Sequence, residues 1–313
     1  LDGLFAQRKN LFRPAFWRML LEIRRFGQQA TEEVKSDKVP VVTIGEYLEM
    51  NKFAPEFIEW YILPMGAAIW SMPAREMLRY PASNLLRFLA NHGLLSLENR
   101  PRWKTVRGGS WTYVQAFQRR FKGRILLNAP VESVRRSDEG AWVKLSGGES
   151  RYDRVVLACH ADEALTMLHD ATALERELLG PWRYTSNRTV LHNDASALAP
   201  LRRCWASWNY RRMSEGGDAP LILTYHMNRL QGLMTARDYC VTLNGPYPLQ
   251  GPPLAEMTYH HPNYNASTWA AQERLQELQG ERTWFCGSYF GYGFHEDAVR
   301  SAVSVGRAFG AEL

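Results

Sequence analysis

The stretch Thr283-Trp284-Phe285-Cys286-Gly287-Ser288-Tyr289-Phe290-Gly291-Tyr292-Gly293-Phe294-His295-Glu296-Asp297-Ala298-Val299 joins a short apolar strand, a glycine-studded loop and the start of a helix. That order suits an anion or the electron-rich edge of a ring. Glycines let a ligand approach the main chain closely, and the first N–H groups of a helix have no intrahelical partner and sit at its positive dipole end. On glycine spacing alone, an ordinary strand-to-helix turn explains the pattern equally well.

Other side chains capable of chemistry form weaker patterns. His260-His261 suggests a metal, but adjacent residues on a strand point to opposite faces and no spaced third ligand follows, so no metal site is expected. Ser207 and Ser301 lack a GxSxG setting, which argues against a serine hydrolase. Cys159, Cys204, Cys240 and Cys286 are far apart with no CxxC pair, so neither a zinc site nor a disulfide framework is indicated, and a reducing, cytoplasmic setting is expected. Cys159 and Cys286 sit in apolar strand-like runs, where a free thiol behaves as a small buried hydrophobe.

These residues need elements to position them. Phe16, Met19, Leu20, Ile23 and Phe26 recur at helical spacing between Arg13 and Gln29, with Pro14 where a first-turn proline is tolerated. Thr43 and Glu46 form a capping box for a helix running to Met50, and Pro55 begins another. From Pro55 to His92 the helical pattern is cut by Pro64, Pro73 and Pro81, which predicts short linked helices rich in large apolar residues. Such a stretch reads as a helical core or, more sharply, as an apolar substrate pocket.

A short helix is predicted over Trp111 to Phe121, and Ile125-Leu126-Leu127 begins a β-type run. Short strands follow at 129–134, 141–145 and 154–159, forming a meander that leads into a nearly continuous apolar strand suited to a central parallel position covered on both faces. Ala161 to Leu168 reads as the helix after it. A second sheet is predicted from 188–192, 204–210, 221–227 and 256–260, then a helix over 267–278 with a serine near its start, a strand at 283–286 and a closing amphipathic helix over 299–309.

The segment from Thr283 onward resembles the final flavin-contacting motif of FAD-dependent amine-oxidase-type enzymes. By that resemblance, Gly287 and Ser288 lie near the ribityl-pyrophosphate portion of FAD. Gly293, Phe294, His295, Glu296 and Ala298 form the turn whose backbone N–H groups face the ring's pyrimidine edge. The strand around Val131 is similar to the one passing the adenosine end, and the strand ending at Ala158 to the one leading towards the pyrophosphate. Arg107-Gly108-Gly109-Ser110 resembles the family's glycine pair. More narrowly, residues 100–109 and Tyr259-His260-His261-Pro262 resemble a bacterial subgroup associated with fatty-acid-modifying methyltransferases, which implies a lipid-acyl substrate. Trp70, Trp103, Tyr259 and Tyr292 are the candidate pocket aromatics.

The implied fold is α/β (mixed α+β): a Rossmann-like FAD lobe interleaved with a substrate lobe of helices and antiparallel sheet. The expected segments are 1–122 and 169–280 for the substrate lobe and 123–168 and 281–313 for the FAD lobe. No GxGxxG loop opening a βαβ unit occurs, although such a unit holds the FAD pyrophosphate in this family. Leu1 to Phe5 reads as the interior of a domain, so an upstream segment carrying that unit is expected. The alternative is a non-catalytic lipid-binding remnant that has lost FAD.

Composition narrows the partners. The 313 residues are 45% apolar and 22% charged, a globular balance. The net charge of +6 comes from 38 basic and 32 acidic residues scattered in short pairs, which speaks against nucleic acid and is compatible with a small or lipid-acyl substrate and peripheral contact with an anionic membrane. No window approaches a membrane span. Nothing in the sequence fixes an oligomeric state or a catalytic base.

Overall fold

A computed structural model of the chain describes residues 3–96, 104–211, 222–245 and 249–312. The chain divides into two units. The first comprises 1–121 with 186–261, and the second 122–185 with 262–313.

The first unit opens with α1 (Pro14–Lys35), which has a proline in its first turn and buries Phe16, Met19, Phe26, Gly27 and Ala30. Next comes α2 (Ile44–Met50), capped as expected: Thr43 Oγ1 accepts from Glu46 N and Glu46 accepts from Thr43 N. After α3 (Pro55–Phe57) the backbone widens into a π-turn over Ile58–Ile62 and re-enters α4 (Leu63–Trp70), with Pro64 in the first turn where no N–H is needed. Left-handed Ser71 stops α4, and Pro73 and Pro81 precede α5 (Ala74–Leu78) and α6 (Ala82–Asn91).

The packing explains why this region is so aromatic. Phe26, Phe53 and Phe57 form a cluster with centroids 5.1 to 5.7 Å apart, and Tyr47 joins it while donating its hydroxyl to Glu33 at 2.7 Å. Each such ring contributes roughly 1.5 to 3 kcal/mol by leaving water. In contrast, α7 (Trp111–Arg120) buries none of its residues.

In the second unit β1 (Val131–Ser137), β2 (Gly140–Leu145) and β3 (Gly148–Tyr152) form an antiparallel meander, with a bulge between Val131 and Ser133. The first strand therefore begins at Val131. The apolar run Ile125-Leu126-Leu127 lies outside any strand and is exposed, since it has no paired neighbour to bury it. After β4 (Val155–Leu157) come α8 (Ala161–Met167) and α9 (Ala173–Leu179), the latter with a Thr172–Glu175 capping box.

The next strand, β5 (Tyr184–His192), belongs to a five-stranded sheet in the order β6-β7-β8-β5-β9. Its other members are β6 (Trp208–Arg211), β7 (Ile222–His226), β8 (Cys240–Leu243) and β9 (Ala255–Pro262), with α10 (Met227–Gln231) after β7. Two details differ from expectation. Cys204 ends a 3-10 turn, so its strand starts only at Trp208, and β8 was not anticipated.

The chain closes with α11 (Ala266–Arg274), β10 (Thr283–Phe285) and α12 (His295–Ala308). The cap of α11 is Asn265, whose carboxamide oxygen accepts from Ser267 N and Thr268 N. Strand β4 pairs in parallel with β10, and among the described residues it has no other neighbour. Val156 is 40% exposed, so β4 is not covered on both faces as its apolar sequence suggested. No helix of the described residues is long and apolar enough to cross a membrane.

Candidate flavin site

In the second unit Phe285 aligns with Leu157, and Cys286 N donates to Leu157 O at 3.1 Å, so β4 and β10 end at the same edge. The carboxyl edge of parallel strands is where open α/β sheets bind ligands. There β4 delivers Ala158, Cys159 and His160 to the start of α8, while β10 delivers Gly287 and a 3-10 turn, Ser288–Phe290, that leads through Gly291 to Phe294 into α12.

Buried partners shape this loop from behind. Gly287 N donates to Ser301 Oγ at 2.9 Å, which ties the loop's first residue to α12. Gln272 Nε2 lies 2.7 Å from both Tyr289 O and Gly291 O, and Tyr264 Oη donates to Gly291 O at 3.0 Å. The Asp297 carboxylate accepts from Tyr292 N at 3.1 Å and Phe294 N at 3.0 Å. Gly293 holds φ +94°, and a Cβ there would stand 2.9 Å from Tyr264 Oη. A Cβ on Gly291 would stand 2.2 Å from Asp297 Oδ1. Glycine is therefore required at both positions.

The donor set follows from helix geometry. Asp297 N and Ala298 N bond Phe294 O, but the first two amides of α12, those of His295 and Glu296, have no carbonyl within the helix to bond. These residues are exposed. Hydrogen-bond donors at a positive helix end, approached past glycines, match the carbonyl-rich pyrimidine edge of a flavin.

Burial keeps two neighbouring groups, Cys159 and Tyr184, uncharged. Burial pushes the Cys159 thiol up to about 11, assisted by Glu163, so it offers no thiolate near neutral pH. Burial also raises the Tyr184 phenol, which accepts from Ala161 N at 3.0 Å and stacks on His160 with centroids 4.1 Å apart. Among the described residues no group of three or more His, Cys, Asp or Glu could hold a metal.

The candidate residues fall into separate places. Gly287, Ser288, Gly293, Phe294, His295, Glu296 and Ala298 form one continuous loop and helix start, and Ala158 follows the neighbouring strand. Val131 opens β1 of the meander and is 37% exposed. Tyr292 is half-buried against Trp269. In the first unit, Trp70 is buried between Tyr80 and Phe88 in the helical core, and Tyr259 is exposed on β9. Trp103 lies outside the described residues. The supporting groups Gln272, Tyr264 and Ser301 were not anticipated, because they reach the loop from 14 to 27 residues away in the chain. The acidic residue at Asp297, three past Phe294, was the one local signal that half a capping box forms here.

The sequence profile of the flavin-containing amine oxidoreductases matches residues 14–190. The chain belongs to this family. Among curated proteins none matches it. Solved structures share its fold: the wild-type putrescine oxidase bound to putrescine superposes with a TM-score of 0.66 at 13% identity, over 94% of this chain and 76% of that one. A fatty acid isomerase from P. acnes, described as CLA-producing, gives 0.65 at 14% identity over 95% and 75%. Cyclohexylamine oxidase from Brevibacterium oxydans IH-35A gives 0.56 at 12% identity over 87% and 68%.

This flavin-containing oxidoreductase accordingly takes FAD as its cofactor. The glycine loop is compatible with it: Gly287, Gly291 and Gly293 let the main chain pack directly on Tyr289, Asp297 and Tyr264, and the His295 and Glu296 amides, without a partner inside the helix, would be the donors to the ring.

Proposed function

We propose that the chain carries the flavin-edge and substrate portions of a FAD-dependent oxidoreductase that takes a hydride from an apolar, fatty-acyl substrate. The observation that carries the flavin half is the preshaped loop from Gly287 to Phe294 at the common end of β4 and β10, leading into the two free amides of α12. The fatty-acyl half is supported by the sequence likeness at residues 100–109 and 259–262, by the aromatic-rich helices α3 to α6, and by the likeness to a solved fatty acid isomerase.

When bound, the flavin supplies the hydride-accepting chemistry. The protein's part is orientation and electrostatics. The His295 and Glu296 amides would donate to the ring edge on which negative charge gathers, and as these donors are set before any ligand arrives, no reorganisation would be needed. Asp297, Gln272 and Tyr264 fix their aim through the loop.

Incubation of the protein with FAD, followed by desalting, should leave a visible flavin band, and anaerobic addition of a long-chain fatty acid should bleach it while putrescine does not. A band bleached by the diamine alone would replace the acyl substrate with an amine. No retained band would remove the flavin reading.

A further inference from the structure

The first turn of α12 carries its own counter-charge. Asp297 and Glu296 both lie there, but they differ in what they touch. Glu296 is exposed. Asp297 is half-buried, its Oδ2 is held by the amides of Tyr292 and Phe294, and its Oδ1 lies where any Gly291 side chain would be. The carboxylate is thus fixed inside the loop whose outer face presents the ligand donors.

A fixed anion at this place has two effects of opposite sense. Mechanically it holds the backbone from 291 to 294 in the shape that leaves the His295 and Glu296 amides outward. Electrically it offsets the positive end of the α12 dipole, the feature that would otherwise favour negative charge on a bound ring. A carboxylate within the first turn sets a full negative charge against the roughly half a positive charge of the helix end. Nearby, Tyr264 and Gln272 are neutral, and no cation is hydrogen-bonded to the Asp297 carboxylate among the bonds described.

We propose that Asp297 is a positioning residue of the flavin site. It staples the 291–294 loop through Tyr292 N and Phe294 N and, as a fixed negative charge, holds the flavin's reduction potential below the value that the helix end alone would set. The electrical part rests on the flavin reading given above, and the mechanical part stands without it.

Three variants separate the parts. Asp297→Asn keeps an oxygen for the two amides and removes the charge, Asp297→Ala removes both, and Glu296→Gln removes an exposed charge that holds nothing. In the flavin-free protein, amide hydrogen exchange at Tyr292 and Phe294 should quicken about tenfold or more in Asp297→Ala and change little in Asp297→Asn, since losing such a bond costs on the order of 1.4 kcal/mol. In the flavin-loaded protein, titration against a redox dye should show the reduced-to-oxidised ratio at fixed potential rising about tenfold in Asp297→Asn, roughly 30 mV for a two-electron couple, with a smaller rise in Glu296→Gln. Unchanged exchange in Asp297→Ala overturns the staple. An unchanged or lowered potential in Asp297→Asn, or an equal rise in Glu296→Gln, overturns the electrical role. A wild-type protein that takes up no flavin overturns the site assignment and the electrical role with it, whereas the exchange result still decides the staple.

Discussion

Tyr264 reaches across from the loop before α11 and donates its phenol hydrogen to the carbonyl of Gly291 at 3.0 Å, where Gln272 Nε2 also donates at 2.7 Å. Tyr264 is 2% exposed, wedged between Trp182 and Trp269, so this bond is made in a dry setting. Tyr264→Phe removes one of two donors and should weaken FAD binding about fivefold, the effect of roughly 1 kcal/mol. Gln272→Leu removes bonds to both Tyr289 O and Gly291 O and should weaken it more. Quenching of flavin fluorescence on titration gives both constants, and a Tyr264→Phe loss exceeding that of Gln272→Leu would contradict the ranking.

On β1, Arg136 ties the meander to α9. Its guanidinium pairs with Asp170 at 3.0 Å and with Glu175, and its own N–H donates to Asp170 Oδ2 at 2.8 Å. Burial alone would raise the Glu175 carboxyl, but hydrogen bonds from Arg136 and Thr172 outweigh it and hold the group below its ordinary value. The stabilisation this pair gives is present above the ordinary carboxylate range and is lost as the pH falls through the folded-state value. Arg136→Met leaves two acids unpaired and should cost about 3 kcal/mol in urea unfolding. Adding Glu175→Gln should recover part of the loss, since the glutamine keeps an oxygen for Thr172 N.

His192 on β5 is 1% exposed, accepts from Asp194 N at its Nδ1 (3.1 Å) and lies 2.7 Å from Thr242 Oγ1 through Nε2. An accepting Nδ1 leaves the proton on Nε2, so the ring is neutral and donates to the threonine. Burial lowers its value below 6.5, with Asp194 opposing in part. Above pH 6.5 this group contributes no pH dependence. On acidification the unfolded chain takes the proton first, so stability should fall from pH 6.5 downward until the folded ring also titrates. Urea midpoints measured between pH 8 and 5 should show a decline that is shallower in His192→Gln. Parallel curves for the two proteins would remove His192 as its source.

The helical half of this fold is plain in the sequence because its signals are local: Pro14, the Thr43–Glu46 box and the prolines at 64, 73 and 81 act on their own neighbours. The loop from Gly287 onward is legible for the same reason, as glycine spacing and a helix start are short-range features. What escapes is long-range. Strand β8 is only Cys240–Leu243 and owes its state to β5 and β7 on either side. An apolar run such as Ile125-Leu126-Leu127 carries strand propensity but no partner, so it forms none. Likewise nothing near Gln272 in the chain shows that its amide will hold Tyr289 and Gly291.

The crowding between Gly291 and Asp297 can be tested as a coupled pair. A methyl on Gly291 would lie 2.2 Å from Asp297 Oδ1 and 2.4 Å from its Cγ, too close for any real contact, while the φ of −146° at Gly291 is open to other residues. The obstacle is therefore the Asp297 side chain, its Cβ included at 2.7 Å. Gly291→Ala should push Asp297 out, release Tyr292 N and Phe294 N, and cost roughly 2 to 3 kcal/mol, within the range for overpacking joined to lost hydrogen bonds. Once Asp297→Gly has cleared the space, including the Cβ that would stand 2.7 Å away, adding Gly291→Ala should cost little. The double-mutant cycle in urea should then give a coupling energy of at least about 1 kcal/mol, because the second change no longer has anything to displace. Additive losses would mean that the alanine clashes with the backbone instead, and that the glycine is required for a reason other than Asp297.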